Sequence, residues 1–160
     1  MTASGSGGET QLAAEDFQVG DHVLTRELIL DAEKFRQFAK LTGDVHPIHY
    51  DAGYARQRGY EAPVAHGLLL TAVTALGATA MSSRLHQSMI ALIDVQAEFI
   101  AAVVADTPLS LVFIVAGVEA KSRNRSVVEF MIELRSPGNW LHARVRHRYL
   151  LKTHLTKGTS

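Results

Sequence analysis

Residues 67–81, GLLLTAVTALGATAM, carry no charged side chain and put small or apolar residues on every face of a helix. No other stretch constrains the fold as strongly. It is too short to cross a bilayer, which takes roughly twenty apolar residues. An all-round apolar helix that does not span a membrane belongs in the middle of a core, so the rest of the chain must wrap it. The sequence that follows is suited to wrapping. In 91–99, Ala91, Ile93, Val95, Ala97 and Phe99 form one face, with Asp94, Gln96 and Glu98 on the other. Residues 109–118 form an unbroken apolar run, as a central strand does. In 127–134, Val128, Phe130, Ile132 and Leu134 alternate with Glu129 and Glu133. The last strand sets Leu141, Ala143, Val145, His147 and Tyr149 against His142, Arg144, Arg146 and Arg148. Ser136-Pro137-Gly138-Asn139 joins the final pair as a hairpin. Early strand, helices, one buried helix and an antiparallel meander make an α+β order.

Upstream, residues 17–21 (FQVGD) turn at Gly20-Asp21 and residues 22–30 read as a first strand. Phe35, Phe38 and Ala39 recur at helical spacing over 31–42, with Asp31 at the N-cap and Glu33 in the first turn. Gly43 lets the chain leave that helix through positive φ, and Pro47 prevents a helix from resuming. Residues 44–66 are then irregular, and a connection that long calls for a function or a helical turn of its own, which 51–58 can supply. Asp44 and His49 share a short, stiffened loop in which a carboxylate and an imidazole can grip one water between them, an arrangement for general acid/base chemistry. Taken alone, an Asp after a helix-ending Gly is better read as a cap on its turn.

At 160 residues the chain is one domain by length. Lysine plus arginine equals aspartate plus glutamate at 16 each, so no global field recruits nucleic acid or an anionic membrane. The absence of cysteine excludes disulfides, thiolate nucleophiles and zinc–thiolate sites, and fits a cytoplasmic protein. The opening MTASGSGGETQLAAED has neither an apolar core nor a basic start, so it is expected to be a disordered leader over 1–16 rather than a signal peptide. A domain over 17–151 and a frayed tail over 152–160 complete the expected organisation.

Phe38, Leu41, Thr42, Gly43, Asp44, Pro47, Ile48, His49 and Ala55 fall in a register that resembles the signature of the MaoC-like, R-specific enoyl-CoA hydratases, the hydratase 2 family. The one departure is His46, where that signature commonly has Asn. Ala62-Pro63-Val64-Ala65-His66-Gly67 resembles the family's P-I-A-H-G segment, which opens its long central helix. Two ordered motifs are far more specific than one. The resemblance covers roughly 17–151; beyond 38–67 it is loose, with Asp106 kept but Ala102 and Ala105 where the family often has Pro and Gly. It implies a hot-dog fold, an antiparallel sheet wrapped around a long central helix. It implies a lyase of fatty-acid metabolism that adds water to a trans-2-enoyl-CoA or removes it from the (R)-3-hydroxyacyl thioester. Asp44 and His49 would orient and activate the water and move a proton at the thioester α-carbon. The Gly67 N–H, unpaired at a helix start, would receive the enolate oxygen. The implied partners are an acyl-CoA or acyl-carrier-protein thioester and a second copy of the chain in a homodimer, with an acyl tunnel at the interface. Neither cofactor nor metal is expected.

His46 and His66 complete the candidate substrate side. His46 can donate to the site or face solvent; His66 reads as a support for its turn more than a reactive group. A metal reading of Asp44, His46, His49 and His66 is disfavoured because a His-x-x-His straddling a proline lacks the helical face of paired ligands. Arg144, Arg146 and Arg148, like Lys121, Arg123 and Arg125, fit either a CoA phosphate patch or a solvated face. A hot-dog thioesterase is the rival enzyme, but by the same resemblance its carboxylate lies on the central helix, and 67–81 has no acid. A MaoC-like subunit without activity would have no need to keep both Asp44 and His49.

Overall fold

The computed structural model describes residues 9–155. Five strands, β1 (His22–Ile29), β2 (Met89–Phe99), β3 (Pro108–Lys121), β4 (Arg125–Ser136) and β5 (Trp140–Lys152), form one sheet in the order β1-β3-β4-β5-β2. Every pairing is antiparallel. Between β1 and β2 come the helices α1 (Ala32–Thr42), α2 (Ala52–Gln57), α3 (Gly67–Ala72) and α4 (Met81–Arg84), with short 3-10 turns at Pro47–His49 and Leu76–Ala78. The α+β order and all five strands stand where the residue pattern put them.

The period-2 pattern sets what the sheet buries. Leu109, Leu111, Phe113 and Val115 of β3 and Val128, Phe130, Ile132 and Leu134 of β4 are buried against the helical layer, as are Ala143, Val145, Tyr149 and Leu151 of β5. Leu69, Leu70, Leu76, Met81 and Leu85 meet them from the other side. Each such side chain, removed from water, contributes roughly 1.5–3 kcal/mol. Arg144, Arg146 and Arg148 lie on the opposite sheet face. There Arg144 pairs with Glu133 (3.2 Å) and Glu98 (3.8 Å), Arg146 with Asp94 (3.3 Å) and Glu129 (3.8 Å), and Arg148 with Glu119 (3.5 Å) and Glu129 (3.7 Å). These arginines are held by carboxylates, so the phosphate-patch reading loses its free cations. Lys121 is likewise paired, with Glu119.

The helix expected to run unbroken over 67–81 is in three pieces: α3, the 3-10 turn and the start of α4. The break has a physical cause at Thr74. Its hydroxyl donates to Thr71 O at 2.6 Å and meets His147 Nε2 of β5 at 2.9 Å, so a buried side chain competes for helix acceptors and pins the backbone to the sheet. One face of the segment is also open in the single chain, with Leu68 at 71% exposure. Among the described residues no helix is long and apolar enough to cross a membrane.

Part of the segment expected as a disordered leader over 1–16 is packed onto the domain. Residues 1–8 lie outside the described residues, but Ala13 and Ala14 are buried, Leu12 N–H donates to Arg84 O at 2.8 Å, and Asp16 Oδ2 accepts from Ala13 N–H at 2.8 Å. Leu12, Ala13 and Ala14 thus cover the end of the core next to Phe17, whose ring meets Phe130 edge-on at 5.5 Å. At the other end β5 runs through Lys152, and Thr153 N–H donates to Asn124 O at 3.0 Å. The tail expected over 152–160 is therefore partly paired; residues 156–160 lie outside the described residues.

Candidate active site

The site is built where three loop segments meet. Val64 N–H donates to Ile48 O (3.0 Å), Ala65 N–H to Val103 O (2.8 Å) and Ala105 N–H to Pro63 O (2.8 Å). This small ladder, with a bridge between Val64 and Val104, fixes the turn holding His49 against the segment that opens α3. On its other flank α1 ends at Gly43 in the left-handed conformation (φ 79°), which a side chain would disfavour. Thr42 Oγ1 accepts from Asp44 N–H at 3.3 Å and Asp44 Oδ1 accepts from His46 N–H at 3.2 Å. Asp44 therefore does cap its turn, and its other carboxylate oxygen remains for a ligand.

Asp44, His49 and His66 are brought together: one oxygen or nitrogen from each lies within 4.8 Å of the others. A water making hydrogen bonds of about 2.8 Å to two acceptors spans a gap of this size. The ring orientations can be read from their partners. His49 Nδ1 lies 2.6 Å from Val64 O. A carbonyl only accepts, so Nδ1 carries the hydrogen and neutral His49 leaves Nε2 bare for a proton.

His66 is 2% exposed and stacks on His49, with ring centroids 3.7 Å apart and planes 22° from parallel. Phe38 (4.8 Å) and Phe35 (5.9 Å, edge-on) complete its enclosure. Burial pushes the His66 imidazole below its ordinary value, and charge on His49 pushes the same way, against a smaller opposing pull from Asp44. His66 Nε2 lies 2.6 Å from the Tyr50 hydroxyl, which also donates to Asp44 O at 2.6 Å. Burial, then the Asp44 charge, raises the Tyr50 phenol above its ordinary value, keeping it protonated. Spacing alone does not assign Tyr50 to the site; its one signal is a hydroxyl-bearing aromatic immediately after His49.

The trio has the composition of a metal site, but two of its ring nitrogens are already engaged, His49 Nδ1 by Val64 O and His66 Nε2 by the Tyr50 hydroxyl.

His46 sits at the rim. Its exposed ring caps the 3-10 turn, Nδ1 accepting from Ile48 N–H at 3.3 Å, and lies 6.1 Å from the His49 ring and 5.7 Å from Tyr54. Gly67 opens α3, so its N–H belongs to the first turn, where no intrahelical acceptor exists. Because α3 has only six residues, the local N–H matters more than any macrodipole. A cleft of about 310 Å³ lies against it, lined by Val64, Gly67, Leu70, Phe99 and Ile100 among others.

Comparison with known proteins extends this picture. The profile of the family described as "MaoC like domain" matches residues 16–134. By sequence, no curated protein matches the chain. Among solved structures, a MaoC-like dehydratase from Rhodospirillum rubrum aligns with TM-score 0.75 at 21% identity, over 90% of this chain and 99% of that one. R-hydratase PhaJ1 from Pseudomonas aeruginosa aligns with TM-score 0.70 at 19% identity, over 94% and 95%. The C-terminally truncated HadBC (3R-hydroxyacyl-ACP dehydratase) complex from Mycobacterium tuberculosis aligns with TM-score 0.65 at 18% identity, over 82% and 96%. At these identities the likeness establishes a shared architecture, the hot-dog fold.

Proposed function

Because this chain belongs to the MaoC-like domain family, whose members' fold it shares, we propose that it is a hydratase/dehydratase interconverting trans-2-enoyl and (R)-3-hydroxyacyl thioesters. The observation that carries the reading is the juxtaposition of the Asp44 carboxylate and His49 within 4.8 Å, with His49 stacked on His66, the residue before Gly67. One water donates its two hydrogens to Asp44 and to His49 Nε2, leaving an oxygen lone pair for C3 of the enoyl group. As the C3–O bond forms, the double-bond electrons move to C2 and the thioester oxygen, where the Gly67 N–H receives the charge. His49 takes one water proton and returns it to C2 on the same face; Asp44 holds the water and stabilises the transient imidazolium. The sum is one water added and no proton gained or lost. Dehydration is the same path reversed.

The thioester carrier is CoA or an acyl-carrier protein, and the cleft of about 310 Å³ beside Gly67 takes the acyl portion nearest the reacting carbons. The working unit is a homodimer. β2 is an edge of the sheet, and bulges at Met89/Ala91 and Leu92/Asp94 turn apolar side chains to both of its faces. Ile90, Leu92, Ile93, Val95 and Phe99 along it, and Ile100 just past its end, are each 39–51% exposed, and Leu68 of α3 is exposed as well. An apolar edge strand with unpaired backbone groups invites a second copy.

Purified protein mixed with crotonyl-CoA and with a longer trans-2-enoyl-CoA tests the reading. Loss of the enoyl absorbance without release of free thiol is the expected result; thiol release would transfer the assignment to a thioesterase, and no change with any enoyl thioester would remove it.

A further inference from the structure

The site contains a buried polar link that the water-addition chemistry does not use. Tyr50 is the residue after His49, yet its hydroxyl turns back to two groups that flank the reacting pair: Asp44 O and His66 Nε2, each at 2.6 Å. A phenol has one hydrogen, and the Asp44 carbonyl can only accept it. The Tyr50 oxygen must then accept from His66 Nε2–H. This fixes the His66 tautomer, with a bare Nδ1, and that atom is buried without any partner. A buried acceptor left unpaired costs free energy and calls for an explanation.

The stack supplies one. With His66 lying flat against His49 at 3.7 Å, the Nε2–H tautomer is the one that lets Tyr50 keep both of its bonds, donating to Asp44 O and accepting from His66. His49 itself is anchored in its ring plane at a single atom, Nδ1 on Val64 O. One hydrogen bond leaves an imidazole free to rock out of plane; the His66 face removes that freedom. Phe35, edge-on at 5.9 Å, and Phe38, tilted at 4.8 Å, pack against His66 and restrict its movement. Tyr50 thus joins the backbone that carries one reacting group to the ring that sets the plane of the other.

Resting on the reading of Asp44 and His49 as a water-activating pair, we propose that Tyr50 is a positioning residue: through Asp44 O and the His66 ring it fixes the separation and angle between the Asp44 carboxylate and His49 Nε2. Tyr50 and His66 touch no substrate in this role. The unpartnered His66 Nδ1 is the cost of that alignment.

Tyr50→Phe tests this by removing the hydroxyl and nothing else. The expected result is a kcat lowered about 10–100-fold, the scale of a small misplacement of reacting groups, with KM changed less than about threefold, in protein folded by circular dichroism. Nitrogen NMR of the histidine rings is the second measurement and needs no substrate. Wild-type protein should show His66 protonated at Nε2 alone and His49 protonated at Nδ1. In Tyr50→Phe the His66 tautomer should become mixed and the His49 ring signals should shift. Wild-type kcat in folded Tyr50→Phe, or His66 protonated at Nδ1 in the wild type, overturns the proposal while leaving the hydratase reading intact. If wild-type protein hydrates no enoyl thioester, the hydratase reading fails; unchanged His49 signals in Tyr50→Phe would then overturn the tether as well, and shifted ones would uphold it.

Discussion

Asp44 and His49, acting on one water, must fail together. Asp44→Asn keeps an oxygen that can accept the His46 N–H, now bonded at 3.2 Å, but loses the negative charge and one acceptor for the bridging water. His49→Gln keeps an amide N–H able to reach Val64 O, now bonded at 2.6 Å, but loses the titrating nitrogen and the stack on His66. Losing proton transfer in either variant should lower kcat by roughly 10²–10⁴-fold, which is about 2.7–5.4 kcal/mol of transition-state stabilisation. The folding cost is far smaller: Asp44→Asn removes no buried apolar group, and the stacking lost in His49→Gln is worth about 0.5–1.5 kcal/mol. Since either change already disables the shared water, the double variant should be only slightly slower than the slower single one, giving a coupling energy close to a single effect. Saturating hydration rates for the four proteins, each checked by thermal melting, complete the cycle. Additive losses, or a folded Asp44→Asn protein turning over at the wild-type rate, would refute the shared-water account.

Three further outcomes follow from the structure. Burial lowers the imidazole values of His66 and His147 beneath the ordinary 6.5, so the unfolded chain binds their protons first as pH falls; stability is therefore fully present above about pH 6.5 and lost below it. Melting temperatures across that range should drop, and His147→Gln, which can still reach Thr74, should flatten the drop; an identical slope in the variant would contradict this. A Cβ on Gly67 would come 3.1 Å from the half-exposed Phe99 ring, so Gly67→Ala should fold but lower kcat/KM by roughly tenfold, mostly through KM as the ring is pushed across the cleft; an unchanged KM would argue against a substrate cleft there. Leu92→Lys on β2 should weaken self-association at least about tenfold in sedimentation, since an ammonium would be buried in the apolar contact; a wild-type protein that is monomeric and active at micromolar concentration would exclude the dimer.

The strands were legible because their burial is decided locally, by side chains alternating across a pleat. Val128, Phe130, Ile132 and Leu134 are all buried, as their spacing indicates. The loop at Asp44 was legible for a similar reason: Gly43 and Pro47 act on the backbone whatever surrounds them. What could not be read depends on contacts between distant residues. The apolar pattern of 67–81 says nothing of His147, 73 positions after Thr74, and that contact accompanies the break in the helix. The β2 alternation was read as one apolar face, yet bulges in its pairing with β5 turn Leu92 and Ile93 both outward. The spacing places His66 just before the helix start, but its buried stack on His49 depends on a contact between separate segments that spacing does not carry. Tyr50 carries only the weak signal of its place after His49, because the partner of its hydroxyl, His66, lies 16 residues on.

The most direct test of water addition by Asp44 and His49 from one side is the stereochemical course of hydration in deuterium oxide. If His49 returns a solvent-derived proton to C2 on the face where the water held by Asp44 has attacked C3, the addition is syn, and the R-specific reading makes the product the (3R)-hydroxyacyl thioester. It carries a single deuterium at C2 on the same side as the new hydroxyl. A (3S) alcohol, deuterium on the opposite face, or a free acid with released thiol would contradict the account.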